Sequence, residues 1–366
     1  MPLSNIDPNA YEHLLALKIA PLVEVFEALG APEPQIIKSP PLAFRLRAEF
    51  RIWHDGEDLF YAMFKPSAPK DPVAITNFPI ASKPIQQLMP ELLQELRHNT
   101  HLRRKLFQVE FLSTLTGDML VTLIYHRALD TFWEDEANLL AERLNIKLIG
   151  RSRKQKKVLG AESVQEVLRV NNRPFYFKQP DQAFTQPNGC VNQCMIEWAD
   201  SACENLSGDL LELYCGIGNF SLPLAHHFGR VLATEVSKVA TAAAIENCNR
   251  NDIKNVEFAR LSAEEMTAAM SGERPFRRLA HLPVPLTDYR LNTLLVDPPR
   301  AGLDDATLSL AGSFKNIIYI SCSPKTLIDN LRILKTTHQI TQLAFFDQFP
   351  YTNHLESGVL LTRRAL

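Results

Sequence analysis

Five continuous apolar runs in the second half of the chain constrain its fold more than any other feature. Continuous apolar runs are typical of strands buried on both faces, and helical stretches between them indicate a parallel sheet. The polar, proline-containing residues 267–291 interrupt this pattern as an inserted loop. The runs predict an α/β domain and occupy residues 209–216, 230–236, 255–260, 292–299 and 316–323.

The first half has a different hydrophobic period. Residues 9–30 predict a helix ending at Gly30, and turn signals at 54–58 and 116–118 separate strand-like runs. The period changes near residue 185, so we predict an antiparallel α+β domain over 1–183 and an α/β domain over 184–366. Within 44–54 the residues expected on the buried face are Phe44, Leu46, Ala48, Phe50 and Ile52.

The 366 residues contain 46% hydrophobic and 22% charged positions, which is ordinary for a globular protein with a large core. A run of about 18 apolar residues and a secretory signal pattern are both missing, so we expect a cytoplasmic protein. All six cysteines follow residue 189, and Cys190 with Cys194 makes only one C-x3-C pair. We therefore expect no metal and no iron–sulfur cluster.

The net charge of −2 conceals an uneven distribution. Residues 147–178 contain nine Lys or Arg against two Glu. Such a cluster can follow a phosphate backbone, or it can be the solvated face of a hairpin. The arginines that alternate with apolar residues in 44–54 have the same two interpretations.

The first apolar run leads into a candidate cofactor loop. Gly216 and Gly218 follow the strand directly, and Glu235 ends the next strand, where its carboxylate can accept hydrogen bonds from ribose hydroxyls. Ser221 stands where a pyrophosphate-binding loop would have a third glycine. The loop thus favours S-adenosylmethionine over a dinucleotide, and Asp297 in VDPPRAGL adds a second acceptor at the same edge of the sheet.

Cys322 ends the fifth strand just before a predicted helix near Pro324. Helix-end N–H groups would favour its thiolate. A thiolate that adds to carbon 6 of uracil makes carbon 5 nucleophilic, and a base must later remove the carbon 5 proton. Glu356 is the candidate base and His354 a weaker rival. Alone, Cys322 would more often be a buried apolar residue and Glu356 a surface carboxylate.

Together these motifs resemble the RNA 5-methyluridine methyltransferase family, and within it the bacterial tRNA branch. The likeness covers nearly the whole chain. Its motifs are SPPLAFRLRAEFRIWHDGEDL (39–59), FTQPN (184–188), LELYCGIGNFSL (211–222), VDPPRAGL (296–303), YISCSP (319–324) and FDQFPYTNHLE (346–356).

The resemblance implies a Rossmann-like class I S-adenosylmethionine-dependent methyltransferase domain behind an N-terminal antiparallel α+β RNA-binding domain. It implies methylation of carbon 5 of uridine 54 in the T-loop of tRNA, with tmRNA as a second substrate. No membrane and no obligate protein partner are expected. The implied cofactor contacts are Gln186, Tyr214, Asn219, Glu235 and Asp297, the nucleophile is Cys322, the base is Glu356, and the RNA contacts are Arg300, Arg51 and Phe107.

Two positions depart from the family pattern. The family usually has S-C-N-P and C-G-N-G-N, whereas this chain has Ser323 and Ile217 at the asparagine positions. Serine keeps a hydrogen-bonding oxygen but lacks the amide donor. The replacement at Ser323 is therefore expected to affect how the uracil or the catalytic loop is oriented.

Other RNA-modifying and RNA-binding proteins share some of these features. Ribosomal RNA 5-methyluridine enzymes typically add a β-barrel module and a cysteine cluster, and RNA cytosine-5 enzymes pair two cysteines. A small-molecule methyltransferase would have little use for the basic first half. A tRNA-folding chaperone with secondary methylation remains an alternative. An enzyme acting on the folded tRNA elbow must flip the base outward, and Phe107 is the candidate stacking residue.

Overall fold

The computed structural model describes residues 6–65 and 68–365, which form two large sheets and a separate hairpin. Over these ranges the strands are β1 (Gln35–Ile37), β2 (Arg47–Asp55), β3 (Asp58–Lys65), β4 (Ala68–Ala74), β5 (Leu106–Ser113), β6 (Met119–Tyr125), β7 (Lys147–Ser152), β8 (Gln155–Leu159), β9 (Ser163–Val170), β10 (Arg173–Pro180), β11 (Asp209–Leu213), β12 (Val231–Thr234), β13 (Val256–Ala259), β14 (Leu291–Val296), β15 (Asn316–Ser321), β16 (His338–Phe346) and β17 (Glu356–Arg363). The helices are α1 (Tyr11–Ala28), α2 (Lys83–His98), α3 (Thr100–Arg103), α4 (Thr131–Leu144), α5 (Gly189–Cys203), α6 (Ser221–Leu224), α7 (Lys238–Arg250), α8 (Ala263–Met270), α9 (Asp305–Ala311) and α10 (Pro324–Leu334). Across the described residues, none of these helices could span a bilayer.

The larger sheet has the strand order β1-β16-β17-β15-β14-β11-β12-β13. Its pairs are parallel except those that β17 makes with β15 and β16. The five apolar runs supply β11 to β15, which confirms the predicted α/β sheet. Strands β12 and β13 lie on one side of β11, and β14 and β15 lie on the other, so the strand order reverses at β11. Ligands bind in open α/β sheets at the carboxyl ends of strands beside such a reversal.

Successive residues of these strands enter different apolar clusters. Leu210 packs in one cluster and Leu211 in the other, and Ile318 and Tyr319 divide in the same way. Because neighbouring side chains of a strand point to opposite faces, both faces of the sheet are covered. This double burial explains why the runs are continuously apolar.

The beginning of the chain also belongs to the larger sheet. β1 pairs in parallel with β16, from Gln35 opposite Ala344 to Ile37 opposite Phe346. Helix α1 packs in the same apolar cluster as β14 and β15. The predicted division at 183/184 assigns α1 and β1 to the first domain. A three-residue strand is too short to show a hydrophobic period, and the sequence of an amphipathic helix does not reveal which surface it packs on.

The hairpin β9–β10 also packs on the larger sheet. Leu168, Phe175 and Phe177 are buried in the cluster that contains Met195 of α5 and Ala244 of α7. The hairpin lies before residue 184 in the chain. Its Val164 packs instead with Leu120 and Ile149 of the smaller sheet, so the hairpin contacts both halves of the chain.

The smaller sheet has the order β4-β3-β2-β5-β6-β7-β8. It is antiparallel except for β6 and β7, which run parallel because α4 lies between them in the chain. The predicted turn at 54–58 is the β2–β3 turn, where Asp55 pairs with Asp58. The five residues predicted for the buried face of 44–54 are all buried.

Helices α2 and α4 cover one face of the smaller sheet. Leu88 and Leu92 of α2 and Trp133 of α4 pack against the buried face of β2. At Gly150 of β7, a Cβ atom would lie 2.1 Å from the Trp133 ring, so only glycine fits beneath that side chain. Glu49 and Arg51 are exposed on the opposite face.

Candidate active site

The loop after β11 turns through three residues with left-handed backbone conformations. Tyr214, Gly216 and Gly218 have φ values of 64°, 56° and 88°. A Cβ atom at Gly218 would lie 2.7 Å from the Leu222 side chain, so a larger residue would move the loop away from α6. The glycines therefore hold the loop close to the carboxyl edge of the larger sheet, as their position after the strand predicts.

Glu235 connects the ends of two strands. One carboxylate oxygen accepts a hydrogen bond from the Gly216 N–H at 3.1 Å, and the other accepts one from the Ser237 N–H at 2.7 Å. A carboxylate has about four acceptor sites, so both oxygens can accept further donors. Glu235 thus fixes the glycine loop, and its contact with a ribose stays a prediction.

One cavity is lined by the other four predicted cofactor residues, Gln186, Tyr214, Asn219 and Asp297. The Gln186 Oε1 atom is buried and has no hydrogen-bond partner within the described residues. An unpaired buried amide oxygen costs about 1–3 kcal/mol, so a ligand donor would relieve it. The cavity therefore offers a polar acceptor that the described residues leave unpaired.

Two further residues at this cavity were not selected from the sequence. Asn192 of α5 exchanges two amide hydrogen bonds of 2.9 Å with Asn219 and so joins α5 to the glycine loop. Phe184 also lines the cavity, and its side chain is 69% exposed. A large exposed aromatic residue is unusual, but exposure cannot be read from a motif.

The two departures from the family pattern have local explanations. Ile217 packs in an apolar cluster, and its carbonyl accepts a hydrogen bond from the Asn247 amide at 3.1 Å. The loop is thus held without a polar side chain there. Ser323 is the N-cap of α10, where its hydroxyl accepts from the Thr326 N–H. Serine and asparagine are both good N-caps, so the start of α10 is maintained.

Buried carboxyl groups surround the glycine loop. Burial raises the pKa of Asp297 to about 7. The pKa of Glu212 on β11 is raised to about 8, mainly by burial; a hydrogen bond from Ser221 opposes this rise, and the charges of Asp297 and Glu235 contribute to it. A positively charged ligand in the cavity would favour the ionised forms of these groups.

Cys322 and Glu356 lie at the same edge of the larger sheet. The last pair between β15 and β17 is Ser321 opposite Ser357, and one step further along this register places Cys322 opposite Glu356. Glu356 is only 3% exposed, and its Oε2 atom lacks a hydrogen-bond partner in the described chain. Asp297 and Arg300 are close enough to influence both groups.

The expected thiolate of Cys322 is not favoured by its surroundings in the fold. Burial raises the pKa of the thiol to about 11, and the negative charges of Glu356 and Asp297 raise it too. Arg300 opposes them with its positive charge. The prediction considered only the helix end, whereas the fold adds desolvation and two carboxyl groups. Burial likewise raises the pKa of Glu356 well above its usual range.

His354, the rival base, lies toward the outside of the site. It is exposed, and its Nε2 atom is 3.4 Å from a guanidinium nitrogen of Arg300. Burial lowers the pKa of His354, as do the charges of Arg300 and Lys18. Glu356 rather than His354 is the group in register with Cys322.

Lys18 of α1 holds the segment that leads to Glu356. Its Nζ atom donates to the Asp347 carboxylate and to the carbonyls of Phe349 and His354, the last at 2.8 Å. The lysine and Asp347 side chains are 10% and 1% exposed. Motif spacing does not indicate Lys18, because the two partners are 329 residues apart in the chain.

The predicted RNA contacts Arg51 and Phe107 lie together on the smaller sheet. The Arg51 guanidinium is 3.9 Å from the Phe107 ring centroid, and the His126 ring stacks on Phe107 at 4.0 Å. Two groups at such distances cannot share one ring face, so both faces of Phe107 are covered. A base stacking here would meet the exposed Arg51 or His126 first, unless the stack opens.

Ion pairs neutralise much of the basic segment 147–178. Five of its nine basic residues have acidic partners. At these five positions, the pairs favour a solvated hairpin surface over a phosphate-binding one. The pairs are Lys147 with Asp118, Arg151 with Asp181, Lys156 with Glu162, Lys157 with Glu134, and Lys178 with Glu246.

The chain is similar to known proteins over nearly its whole length. The sequence matches the family described as tRNA (Uracil-5-)-methyltransferase over residues 10–364. It is 53% identical over 365 residues to an Aromatoleum aromaticum protein named tRNA/tmRNA (uracil-C(5))-methyltransferase, across 100% of this chain and 99% of that one. An Acinetobacter baylyi protein of the same name is 52% identical over 356 residues, with 96% and 99% covered.

The fold has a solved counterpart. The crystal structure of Pyrococcus abyssi tRNA (uracil-54, C5)-methyltransferase in complex with S-adenosyl-L-homocysteine superposes with a TM-score of 0.73 at 19% identity. It covers 96% of this chain and 83% of that chain. At this identity the likeness shows a shared fold. The match over residues 10–364, with full-length relatives at 53% and 52% identity, shows that this chain belongs to the tRNA (uracil-5-)-methyltransferase family.

Proposed function

We propose that this protein methylates carbon 5 of uridine 54 in the T-loop of tRNA, and the matching uridine in the tRNA-like arm of tmRNA. The observation that carries the proposal is the register of Cys322 with Glu356 beside the cavity of Gln186 and Asp297. The printed names of the full-length relatives support the same reaction and both RNAs. All six cysteines are free thiols, as a reaction in the cytoplasm would require.

The cavity suits S-adenosylmethionine as methyl donor. The unpaired Gln186 Oε1 atom can accept from an amino group, Glu235 can accept from ribose hydroxyls, and Asp297 can face positive charge. Tyr214 and Asn219 complete the lining. When bound, S-adenosylmethionine supplies a methyl group activated by its sulfonium charge.

Cys322 starts the reaction on the base. Its sulfur bonds to carbon 6 of uracil, and the electron pair of the 5,6 double bond moves toward the carbon 4 oxygen, so that carbon 5 can take up a methyl group. Because the thiol pKa is about 11, the thiol must first release its proton to water, and the positive charge of Arg300 favours the resulting thiolate.

Glu356 completes the reaction. Its carboxylate removes the proton from carbon 5, the double bond forms again, and the Cys322 sulfur leaves as thiolate. A carboxyl group whose pKa is raised by burial is a stronger base than an exposed one. The Oε2 atom of Glu356, which has no partner among the residues that the structure describes, is available for that proton.

A tRNA transcript containing 5-fluorouridine tests this proposal. Fluorine at carbon 5 cannot leave as a proton, so a covalent protein–RNA adduct should persist on a denaturing gel after methyl transfer. Mass spectrometry should locate the bond at Cys322 and uridine 54. The Cys194→Ser variant should still form the adduct. Methylation of ordinary tRNA without any Cys322 adduct would contradict the mechanism, and absence of both would contradict the substrate.

A further inference from the structure

A second group of ligand-type side chains lies outside the methylation site. Asp200 belongs to the last turn of α5, and His226 and His227 form a short 3-10 turn after α6. One ligand atom from each of these residues lies within 4.8 Å of the others. The Asp200 and His227 side chains are each 14% exposed and the His226 side chain is 40% exposed, so the group is partly shielded yet reachable from solvent.

The spacing of these atoms suits a small divalent cation. The Asp200 Oδ1 atom is 2.9 Å from His227 Nε2 and 3.5 Å from His226 Nε2. In a tetrahedral zinc site with bonds of about 2.0–2.1 Å, neighbouring ligand atoms are about 3.3 Å apart. The two imidazole rings lie side by side, with centroids 4.0 Å apart. Their Nε2 atoms therefore converge on one carboxylate oxygen.

The hydrogen bonds around the group orient its ligands. The His226 Nδ1 atom is 2.9 Å from the Pro223 carbonyl, which can only accept, so Nδ1 carries the proton. The Nε2 atom of the neutral ring then directs a lone pair at the Asp200 carboxylate. A metal ion bound by both this lone pair and the carboxylate oxygen would replace the proton that otherwise joins them as an ion pair. The other Asp200 oxygen accepts from the Asn171 amide at 2.8 Å, an outer partner of the kind found at metal sites.

We propose that Asp200, His226 and His227 bind a divalent transition metal of the zinc type, with water as the fourth ligand. Two imidazoles and one carboxylate suit Zn²⁺, Co²⁺ or Ni²⁺ better than Mg²⁺ or Ca²⁺, which prefer oxygen ligands. The sequence did not suggest this site, because a contiguous motif supplies only His226 and His227, and the fold brings Asp200 to them.

The metal would connect two segments that also meet at the cofactor cavity. Asp200 and Asn192 are both on α5, about 12 Å apart at 1.5 Å per residue. The histidines follow the loop that contains Asn219, the hydrogen-bonding partner of Asn192. The site thus fastens the same two segments a second time, and metal binding should stabilise the folded protein.

Titration of the full-length, chelator-treated protein with Co²⁺ and then Zn²⁺ tests this proposal. We expect one Co²⁺ ion to bind per chain, with a visible absorption spectrum typical of nitrogen and oxygen ligands. Zn²⁺ should displace the Co²⁺, and metal binding should raise the unfolding temperature. Asp200→Asn and His226→Asn should each weaken binding at least about tenfold, because loss of even an outer partner of a metal ligand costs about 10–100-fold in affinity. The double variant His226→Asn with His227→Asn should abolish the spectrum.

Two controls separate this site from other ligands. Cys190→Ser with Cys194→Ser should bind Co²⁺ as before, because no thiolate is involved. His281→Asn should also bind normally, since His281 lies 4.0 Å from Glu257, a single carboxylate partner. Absence of a bound Co²⁺ spectrum, binding unchanged in Asp200→Asn, or loss of binding only in the cysteine variant would each overturn the proposal.

Discussion

Cys322 and Glu356 lie opposite each other, one step beyond the ladder pair of Ser321 and Ser357. This register places a thiol and a carboxyl group on neighbouring strands at the edge where the cofactor cavity opens. Carbon 5 and carbon 6 of uracil are bonded neighbours, so a nucleophile and a base that serve them must also be neighbours. The pairing of β15 with β17 provides that proximity although the residues are far apart in the chain.

Replacing Glu356 with glutamine should separate the two halves of the reaction. Bond formation by Cys322 and methyl transfer should continue, but the carbon 5 proton should not be removed. Loss of a general base reduces turnover by about 10²–10⁴-fold. We expect this variant to form a covalent adduct with ordinary tRNA that is visible on a denaturing gel. The unchanged protein should show no adduct once methylation is complete. Normal turnover by Glu356→Gln would exclude Glu356 as the base.

The Cys322→Ala variant should distinguish catalysis from a role in RNA folding. Without the sulfur, methylation should fall below detection, while tRNA affinity should change little because the RNA surface is intact. Filter binding and incorporation of labelled methyl groups measure the two properties. A variant that still promotes tRNA refolding would show a separate chaperone activity. Retained methylation would contradict nucleophilic catalysis.

Lys18→Met should destabilise the protein and slow the reaction. The substitution leaves the buried Asp347 carboxylate without its ion-pair partner, which costs about 3–5 kcal/mol. It also releases the carbonyls of Phe349 and His354, so the segment leading to Glu356 should lose its fixed position. Chemical denaturation and single-turnover methylation measure these effects.

Lys38→Met is the matched control for Lys18→Met. Lys38 pairs with Glu12 in the same N-terminal region, but their side chains are 55% and 66% exposed. Exposed pairs contribute about 0–1 kcal/mol. Equal effects of the two substitutions would mean that the buried lysine does not hold the segment. Partial recovery by Lys18→Arg would support its role in positioning that segment.

The protein should become less stable as pH rises from 5 to 8, partly because of Glu212. The unfolded carboxyl group releases its proton near pH 4.5, whereas the folded group retains it until about pH 8. Between these values the folded state binds more protons, so the free energy of unfolding decreases with rising pH. Glu212→Gln should reduce this decrease by on the order of 2–4 kcal/mol. Asp297, whose pKa is about 7, acts in the same direction.

Denaturant unfolding at pH 5 and pH 8 measures this contribution. Glutamine can still accept the Ser221 hydroxyl hydrogen bond, so the variant should fold. Glu204→Gln is the control, because Glu204 is exposed at the end of α5. If Glu212→Gln shows the same pH dependence as the unchanged protein, Glu212 ionises normally in the fold.

Arg51→Ala should weaken tRNA binding without affecting the cofactor cavity. The variant removes an exposed positive charge and uncovers one face of Phe107. We expect a several-fold higher Kd for tRNA. The slope of tRNA affinity against salt concentration should decrease by about the amount that one phosphate contact contributes. S-adenosylmethionine affinity should stay the same. Arg143→Ala, on the helices covering the other face of this sheet, should leave tRNA affinity unchanged; equal losses would show that Arg51 acts only through net charge.

Hydrophobic periodicity was sufficient for the main elements of both sheets. The five apolar runs became β11 to β15 because a strand covered on both faces must be apolar at every position. Alternation in 44–54 predicted the buried face of β2 because only one side of that strand packs on helices. The glycines after β11 and the cysteine after β15 are local features, so motifs could place them at one edge of the sheet.

Tertiary structure alone decided the contacts between distant segments. The first helix and strand return to the larger sheet, and Lys18 reaches Asp347 across 329 residues, without any local pattern. The high pKa of Cys322 arises from desolvation and from carboxyl groups on other strands, which the helix-end argument omitted. The strands, helices and reactive residues could be predicted because they depend on residues that are neighbours in the chain. Charge, burial and pairing depend on residues brought together by folding, so local patterns do not contain them.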